Sequence, residues 1–214
     1  MTVRRGRTLE ANVSRILRAI GDVLPTQSTA PTLILTVGLP GSGKSSFSRR
    51  LAQEIDAVVL ESDALRRLLF GEPVYSVLES RRLFAAVHAA ARELLEHGRT
   101  VIIDATSLKE ADRSPVYELA DEAGARLLIL HFLAPEAVIE RRLAHRLDGH
   151  DPDDISSAGL AVYRMMAEQQ EPLTRRHWQI DTSDAAATES AFQSVVRACR
   201  QGTAGELRMG GKAP

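Results

Sequence analysis

The chain has 214 residues, a formal net charge of −1 and 44% hydrophobic residues, enough for one core and too balanced for a global basic field toward nucleic acid. One cysteine, Cys199, excludes an internal disulfide and a cysteine metal cluster, and the histidines show no ligand spacing. No apolar run approaches the ~20 residues of a membrane span, and no apolar stretch follows the basic Met1–Arg7, so a cytoplasmic protein without membrane association is expected.

In chain order, Leu9, Val13, Ile16, Leu17, Ile20 and Leu24 recur at helical spacing, and the stretch from Pro25 to Pro31 then breaks the pattern with linker chemistry. The apolar face of this helix must dock on the core or on a partner chain or second copy. From Thr32 onward, apolar runs at Leu33–Val37, Ala57–Leu60, Thr100–Asp104, Leu127–Leu133 and Trp178–Asp181 alternate with helical segments. The helices are expected at Ser45–Gln53, Arg81–His97, Lys109–Ala123, Glu136–Leu147, Ser157–Glu171 and Ala186–Arg200. Short strands without polar alternation suit a parallel sheet covered on both faces. The division expected is an N-terminal helix and linker over 1–31, an α/β domain over 32–200 and a fraying tail over 201–214.

After the first apolar run comes Gly38-Leu39-Pro40-Gly41-Ser42-Gly43-Lys44-Ser45, a complete G-x-x-x-x-G-K-[ST] phosphate-binding loop between a strand and a helix. Its glycines let backbone N–H groups face inward, and the following helix adds its positive end at the same point. Gly38, Pro40, Gly41, Ser42, Gly43, Lys44, Ser45 and Ser46 are therefore candidate nucleotide-binding residues. Lys44 would reach the β- and γ-phosphates of ATP, and Ser45 would offer its hydroxyl to Mg²⁺.

Ligands of open α/β sheets sit beyond the carboxyl ends of the strands, which singles out polar residues there. Asp63 and Arg66 follow Val58-Val59-Leu60 on one helical face and could hold an acceptor hydroxyl and an anionic group side by side. The alternative is that Ser62 or Asp63 simply caps that helix. Asp104 ends Val101-Ile102-Ile103, as a ligand of Mg²⁺ or its water would. Arg142 and Arg146 share a helix face that runs into Asp148–Asp154, a Gly- and Pro-containing stretch with the composition of a lid, and Arg141 reads as solvated. The loop Asp181–Asp184 is a candidate for contacting the adenine.

With Gly38–Ser45, Asp63-x-x-Arg66, Asp104-Ala105-Thr106-Ser107-Leu108, Arg113 and the Arg142/Arg146 pair in that order, the sequence resembles the P-loop kinase family that contains the kinase domain of bacteriophage polynucleotide kinase. The resemblance runs from about Thr32 to Pro172 and includes Ile155–Pro172, with Tyr163, as the helix after the lid. It implies a three-layer P-loop NTPase fold with a five-stranded parallel sheet, a helical lid and an N-terminal helical extension. It also implies that Lys44, Asp63, Arg66 and Arg146 are catalytic, Asp63 as the base on the acceptor hydroxyl and Arg66 on the phosphate beside it. Arg142 and Arg146 would touch the donor phosphates, with Ser45 and Asp104 serving the metal. The expected activity is ATP- and Mg²⁺-dependent phosphoryl transfer to a hydroxyl, first a polynucleotide 5′-hydroxyl and next a small metabolite or antibiotic. Nothing after Pro172 offers the phosphatase motif of the bacteriophage enzyme. The rival from another class is a regulatory ATPase whose N-terminal helix engages a partner.

Overall fold

The computed structural model describes residues 2–21, 31–147 and 159–201, with side chains over 6–21, 31–145 and 159–201. The expected linker, the Asp148–Asp154 stretch, the Arg146 side chain and the tail after Gln201 lie outside these described residues. Strands β1 (Thr32–Val37), β2 (Val58–Glu61), β3 (Val101–Asp104), β4 (Arg126–Leu133) and β5 (Trp178–Asp181) form one parallel sheet in the order β2-β3-β1-β4-β5. Each lies within a residue of where its apolar run predicts it. Among the described residues no helix is long and apolar enough to cross a membrane.

The period of two along each strand divides the core between the sheet's two faces. Leu33, Leu35 and Val37 of β1 point to one side, where α1 (Thr2–Ile20), α3 (Ser62–Phe70), α4 (Val77–Glu96) and α5 (Glu110–Glu122) bring Ile16, Leu69, Leu83, Val87 and Val116. Ile34 points to the other, against Phe47 and Leu51 of α2 (Lys44–Ile55) and Phe192 and Val195 of α8 (Ala185–Gln201). The result is three layers with β1 buried along its whole length. A smaller cluster of Ile139, Leu143 and Tyr163 joins α6 (Glu136–Leu147) to α7 (Leu160–Glu168), beside Leu39 of the phosphate loop.

The N-terminal helix starts earlier than its periodicity suggests and stops at Gly21, whose φ of 83° no side chain favours. Of the two docking places left open by the sequence, the apolar stripe occupies the core of its own chain: Ile16 is fully buried beside α3 and α4. Arg15 donates to the carbonyls of Leu68 and Leu69 at the end of α3. Helix α1 thus braces the helix that carries Asp63 and Arg66. Helix α4 begins four residues before Arg81 because Ser76 caps it, its hydroxyl accepting from the Glu79 N–H at 3.2 Å. Helix α7 ends at Glu168, short of the expected Glu171, whose N–H turns away to the Leu108 carbonyl.

Candidate functional site

The phosphate loop leaves the carboxyl end of β1 and is closed by backbone geometry. Gly38 has φ 152°, and a Cβ there would stand 2.7 Å from the Phe132 carbonyl oxygen, so any side chain would push the loop off β4. Gly41, with φ 81°, would drive a Cβ to 2.8 Å from Ile139. The Gly38 N–H donates to Thr106 at 3.0 Å and ties the loop to the end of β3. Helix α2 begins at Lys44, so the N–H groups of its first turn and its positive end face the loop's hollow. Lys44 is largely buried and its Nζ donates to the Leu39 carbonyl at 2.9 Å.

Beside the loop stands Asp104, 2% exposed, whose Oδ1 accepts from the Thr36 hydroxyl at 3.1 Å. Its Oδ2 is buried and has no hydrogen-bond partner among the described residues. Burial pushes the Asp104 carboxyl above the usual range, and the Lys44 charge with the hydroxyls of Ser45 and Thr36 pulls it back. A buried carboxylate oxygen with nothing to bind is expensive in a finished site.

Two clefts meet at this loop. The first, about 540 Å³, opens between the α3–α4 corner and α7, with Pro40, Lys44, Ser45, Asp63, Arg66 and Asp104 in its walls. Asp63 sits in the first turn of α3; the cap position falls on Glu61 and no side-chain cap bond forms there, so capping is not what Asp63 does. Burial raises the Asp63 carboxyl above its ordinary range, with Arg66 and Lys44 opposing. Arg66, 6% exposed, does not reach into open space as its sequence position suggests. It donates to Glu79 at 2.7 Å and to the Ser80 hydroxyl at 3.3 Å, and its guanidinium lies 4.8 Å from the centre of the Tyr75 ring. Glu79 accepts also from the N–H groups of Val74 and Tyr75 at 3.0 and 3.2 Å. These N–H bonds, Val74's foremost, and Arg66 hold its carboxyl below the usual value. Tyr75 is kept at φ 52°, a conformation rare for a bulky residue and maintained here by Glu79.

The second cleft, about 720 Å³, lies on the other side of the loop between α6 and the β5–α8 turn, and Gly41, Gly43, Ser46, Arg49, Arg142 and Thr182 line it. Arg142 donates to the Gly41 carbonyl at 3.2 Å, to the Thr182 hydroxyl at 2.9 Å and to the Thr182 carbonyl at 2.6 Å. The Thr182 hydroxyl donates in turn to the Ser42 carbonyl at 2.9 Å, so the phosphate loop, α6 and the β5–α8 turn are one hydrogen-bonded unit. Arg141, read as solvated, is exposed and borders this cleft with His145. Within the Asp181–Asp184 loop only Thr182 lines the cleft. Asp181 accepts from the N–H and hydroxyl of Ser183, and Asp184 accepts from the Ala187 N–H, so both carboxylates serve the turn and the start of α8.

Arg113 belongs to neither cleft. Fully buried, it donates to the carbonyls of Ser107, Leu108, Glu171 and Pro172 and to Glu110, clasping the loop after β3 to the segment after α7. Sequence reasoning missed Glu79, and it reached Thr182 only as part of the Asp181–Asp184 loop, without its bond to Arg142. The Ser76-x-x-Glu79 spacing signals a helix start, but nothing local signals the ion pair to Arg66.

A family model described as an AAA domain matches residues 33–173, which hold the phosphate loop, both strand-end aspartates and Arg142. The chain belongs to this AAA domain family. The chain is 30% identical over 169 residues to an uncharacterized protein of Mycobacterium tuberculosis, covering 73% of this chain and 33% of that protein. The chain thus spans about a third of the length of its mycobacterial relatives. An L-seryl-tRNA(Sec) kinase of Methanococcus maripaludis is 26% identical over 119 residues, 53% of this chain and 46% of that one. The fold is shared with the APS kinase CysC of Mycobacterium tuberculosis, solved with AMPPNP and APS, at a TM-score of 0.61 and 19% identity over 81% of this chain and all of that one.

Proposed function

We propose that this AAA domain is an ATP-dependent phosphotransferase that moves the γ-phosphoryl group onto a hydroxyl acceptor. The observation that carries the reading is that a desolvated carboxylate, Asp63, shares a cleft with Lys44, Ser45 and Asp104 while an arginine-lined cleft opens on the opposite side of the same loop. Donor and acceptor then approach the transferring phosphoryl from opposite sides, as in-line displacement requires. The similarity to a seryl-tRNA kinase and to a kinase solved with an ATP analogue supports the same reading.

In this scheme the loop N–H groups of Gly41 to Ser45 and the Lys44 ammonium compensate the β/γ charge. Arg142, with Arg146 on the same helix, attends the donor phosphates. Asp63 takes the acceptor's proton as the hydroxyl attacks, and its raised basicity suits that work at neutral pH. Mg²⁺ fits the residues present: the orphaned Asp104 Oδ2 and the Ser45 hydroxyl are hard oxygen donors, and one carboxylate plus substrate phosphates is how Mg²⁺ is commonly held. It would supply charge neutralisation between the phosphates. ATP chemistry of this kind suits the cytoplasm.

For the acceptor, a polynucleotide 5′-hydroxyl is the reading that needs Arg66 on a substrate phosphate, and the Arg66–Glu79 pair favours the small-molecule alternative. A regulatory ATPase would need no base, and the burial of Ile16 against its own core leaves less of α1 to engage a partner. The test is transfer of label from γ-labelled ATP to oligonucleotides and to a panel of hydroxyl metabolites, by wild type and by Lys44→Ala. Lys44-dependent ATP hydrolysis that no acceptor diverts would favour the switch.

A further inference from the structure

The acceptor cleft has two properties that its position beside a phosphate loop does not require. The first is its charge. Of the described cations in its wall, Lys44 belongs to the loop, and Arg66 is neutralised by a carboxylate at 2.7 Å, with both side chains 7% exposed. The remaining charged groups are carboxylates: Asp63, Asp104, Asp112 and Glu61, the last 3.8 Å from Arg49. A phosphate on the acceptor would face these anions. To use Arg66 it would have to share the guanidinium with the Glu79 carboxylate, which Val74 and Tyr75 also hold through their N–H groups. The second property is its apolar wall. Tyr75 and Phe84 line one side, and Val162, Met165 and Met166 of α7 line the other. Tyr75 and Met165 remain 50% and 51% exposed, an unusual state for large apolar side chains on opposite walls of a cleft. Unbranched methionines adapt their shape to a flat partner, and a tyrosine ring offers a face to stack on.

We propose that the acceptor is an uncharged alcohol with a flat apolar body, gripped between Tyr75/Phe84 and the α7 methionines, and that Glu79 enforces this choice by neutralising Arg66. The proposal rests on the phosphotransferase reading and fixes the substrate class within it. Glu79 acts through Arg66 and Tyr75, so it is a specificity-positioning residue. The transfer itself forms the bond from the acceptor oxygen to the γ-phosphorus and breaks the bond from that phosphorus to the β–γ bridging oxygen. The acceptor proton goes to Asp63, and ADP leaves.

The test uses the full chain with γ-labelled ATP·Mg²⁺ and five probes: thymidine and 3-phenylpropan-1-ol as flat neutral alcohols, thymidine 3′-monophosphate and glycerol 3-phosphate as anionic ones, and glycerol as a neutral alcohol without a flat body. Binding is read in parallel by thermal shift with AMPPNP present. The flat neutral probes should bind, and should exceed their anionic counterparts in kcat/KM by about tenfold or more, because like charges brought together in a partly desolvated cleft are strongly disfavoured. Glu79→Gln removes the neutralising charge and keeps the side chain's size, giving up one acceptor, the one facing the Val74 N–H, so the ratio should move toward the phosphate-bearing probes by about tenfold. Met165→Lys, at an exposed position where folding is not at stake, should raise KM for the flat probes and not for glycerol.

Flat neutral probes that fail to bind, anionic probes that bind equally well, or a folded Glu79→Gln variant with an unchanged ratio would each overturn the proposal. If Glu79→Gln does not fold, Met165→Lys decides: an equal change for flat probes and glycerol overturns the proposal. Selective binding of the flat probes without labelling, alongside Lys44-dependent ATP hydrolysis, would uphold the cleft's selectivity and count against phosphotransfer.

Discussion

The two clefts share Gly41, Gly43 and Ser45 yet differ in electrostatic design. On the α6 side, Arg49, Arg141 and Arg142 border a cavity whose walls also present the positive end of α2. Arg142 donates there to carbonyl and hydroxyl oxygens, and the Asp181 carboxyl, held below its usual range chiefly by Ser183, is lowered further by the Arg142 charge. On the α3–α4 side, Arg66 is fixed by a carboxylate, which orients it and cancels it. A guanidinium whose hydrogen bonds go to carbonyl and hydroxyl oxygens keeps more of its field for a polyphosphate than one paired at 2.7 Å with a buried carboxylate. Selection on the first side therefore rests on charge, and on the second on shape and on the hydroxyl that Asp63 can reach.

The largest effect is expected where the clefts meet. Lys44→Ala removes a cation that donates to the Leu39 carbonyl and whose charge acts on the Asp104 and Asp63 carboxyls, so the melting temperature is read beside the rate. Phosphoryl transfer to any acceptor should fall by about three decades, the scale set by loss of charge stabilisation at a developing phosphoryl transition state. A folded variant with near-normal turnover would remove the seam on which the comparison depends.

Next comes Asp63→Asn, which should act on the acceptor side alone. Loss of a general base costs about two decades in kcat, while ATP binding, measured by calorimetry, should stay as it was. The stability sign is opposite to that of most active-site losses. Burial raises the folded-state carboxyl above its unfolded value, so neutralising it favours the fold below the unfolded value, and that benefit is lost as pH rises through the folded one. At neutral pH the ionised Asp63 is a cost, and the asparagine variant should melt at the same temperature or higher. The same rise places the acid limb of kcat/KM above the ordinary carboxylate range, and Asp63→Asn should abolish that limb. A loss of rate that follows a loss of melting temperature would return Asp63 to a structural role.

A smaller and complementary effect belongs to the donor side. Arg142→Ala should raise the KM for ATP by about tenfold and leave the acceptor KM alone, as expected for a contact made equally to ground and transition states. Thr182→Val, which removes the hydroxyl joining Arg142 to the Ser42 carbonyl, should act in the same direction more weakly. Equal changes in both KM values would mean that the two clefts are not separable.

Much of this layout is legible in the sequence because its causes are local. The central strands β1 and β3 are buried at every residue and read as continuous apolar runs, the edge strands β2 and β5 are marked by fewer apolar residues, and the phosphate loop is a contiguous motif whose glycines each have a steric reason. Asp63 and Asp104 are found by their place at strand ends. What the sequence hides is the partner that decides each arginine's function. Glu79 is 13 residues from Arg66 and meets it across the α3–α4 corner, while Thr182 is 40 from Arg142 and meets it because β5 lies beside β4 in the sheet. Arg66 and Arg142 look alike as residues at helical spacing. Their difference lies in what the fold places opposite them.

The smallest expected effect guards the pH argument against acid unfolding. His131 lies on β4 outside both clefts, its Nε2 3.1 Å from the Gln170 side-chain nitrogen and its ring edge-on to His177 at 5.6 Å. Burial, then the neighbouring charges of His177 and Arg113, lowers its pKa from 6.5 to about 4. The folded protein therefore resists a proton that the unfolded chain accepts, and stability is lost progressively as pH falls from 6.5 toward about 4. His131→Gln keeps a polar group near Gln170 and removes the titration, so its melting temperature should gain on wild type as the pH is lowered through that window. The acid limb of kcat/KM should be unmoved, because the limb belongs to Asp63 and the stability slope to His131. Melting curves that stay parallel at every pH would show that His131 does not carry the slope. An acid limb that shifts with His131→Gln would show that unfolding, and not the acceptor-side carboxylate, had set it.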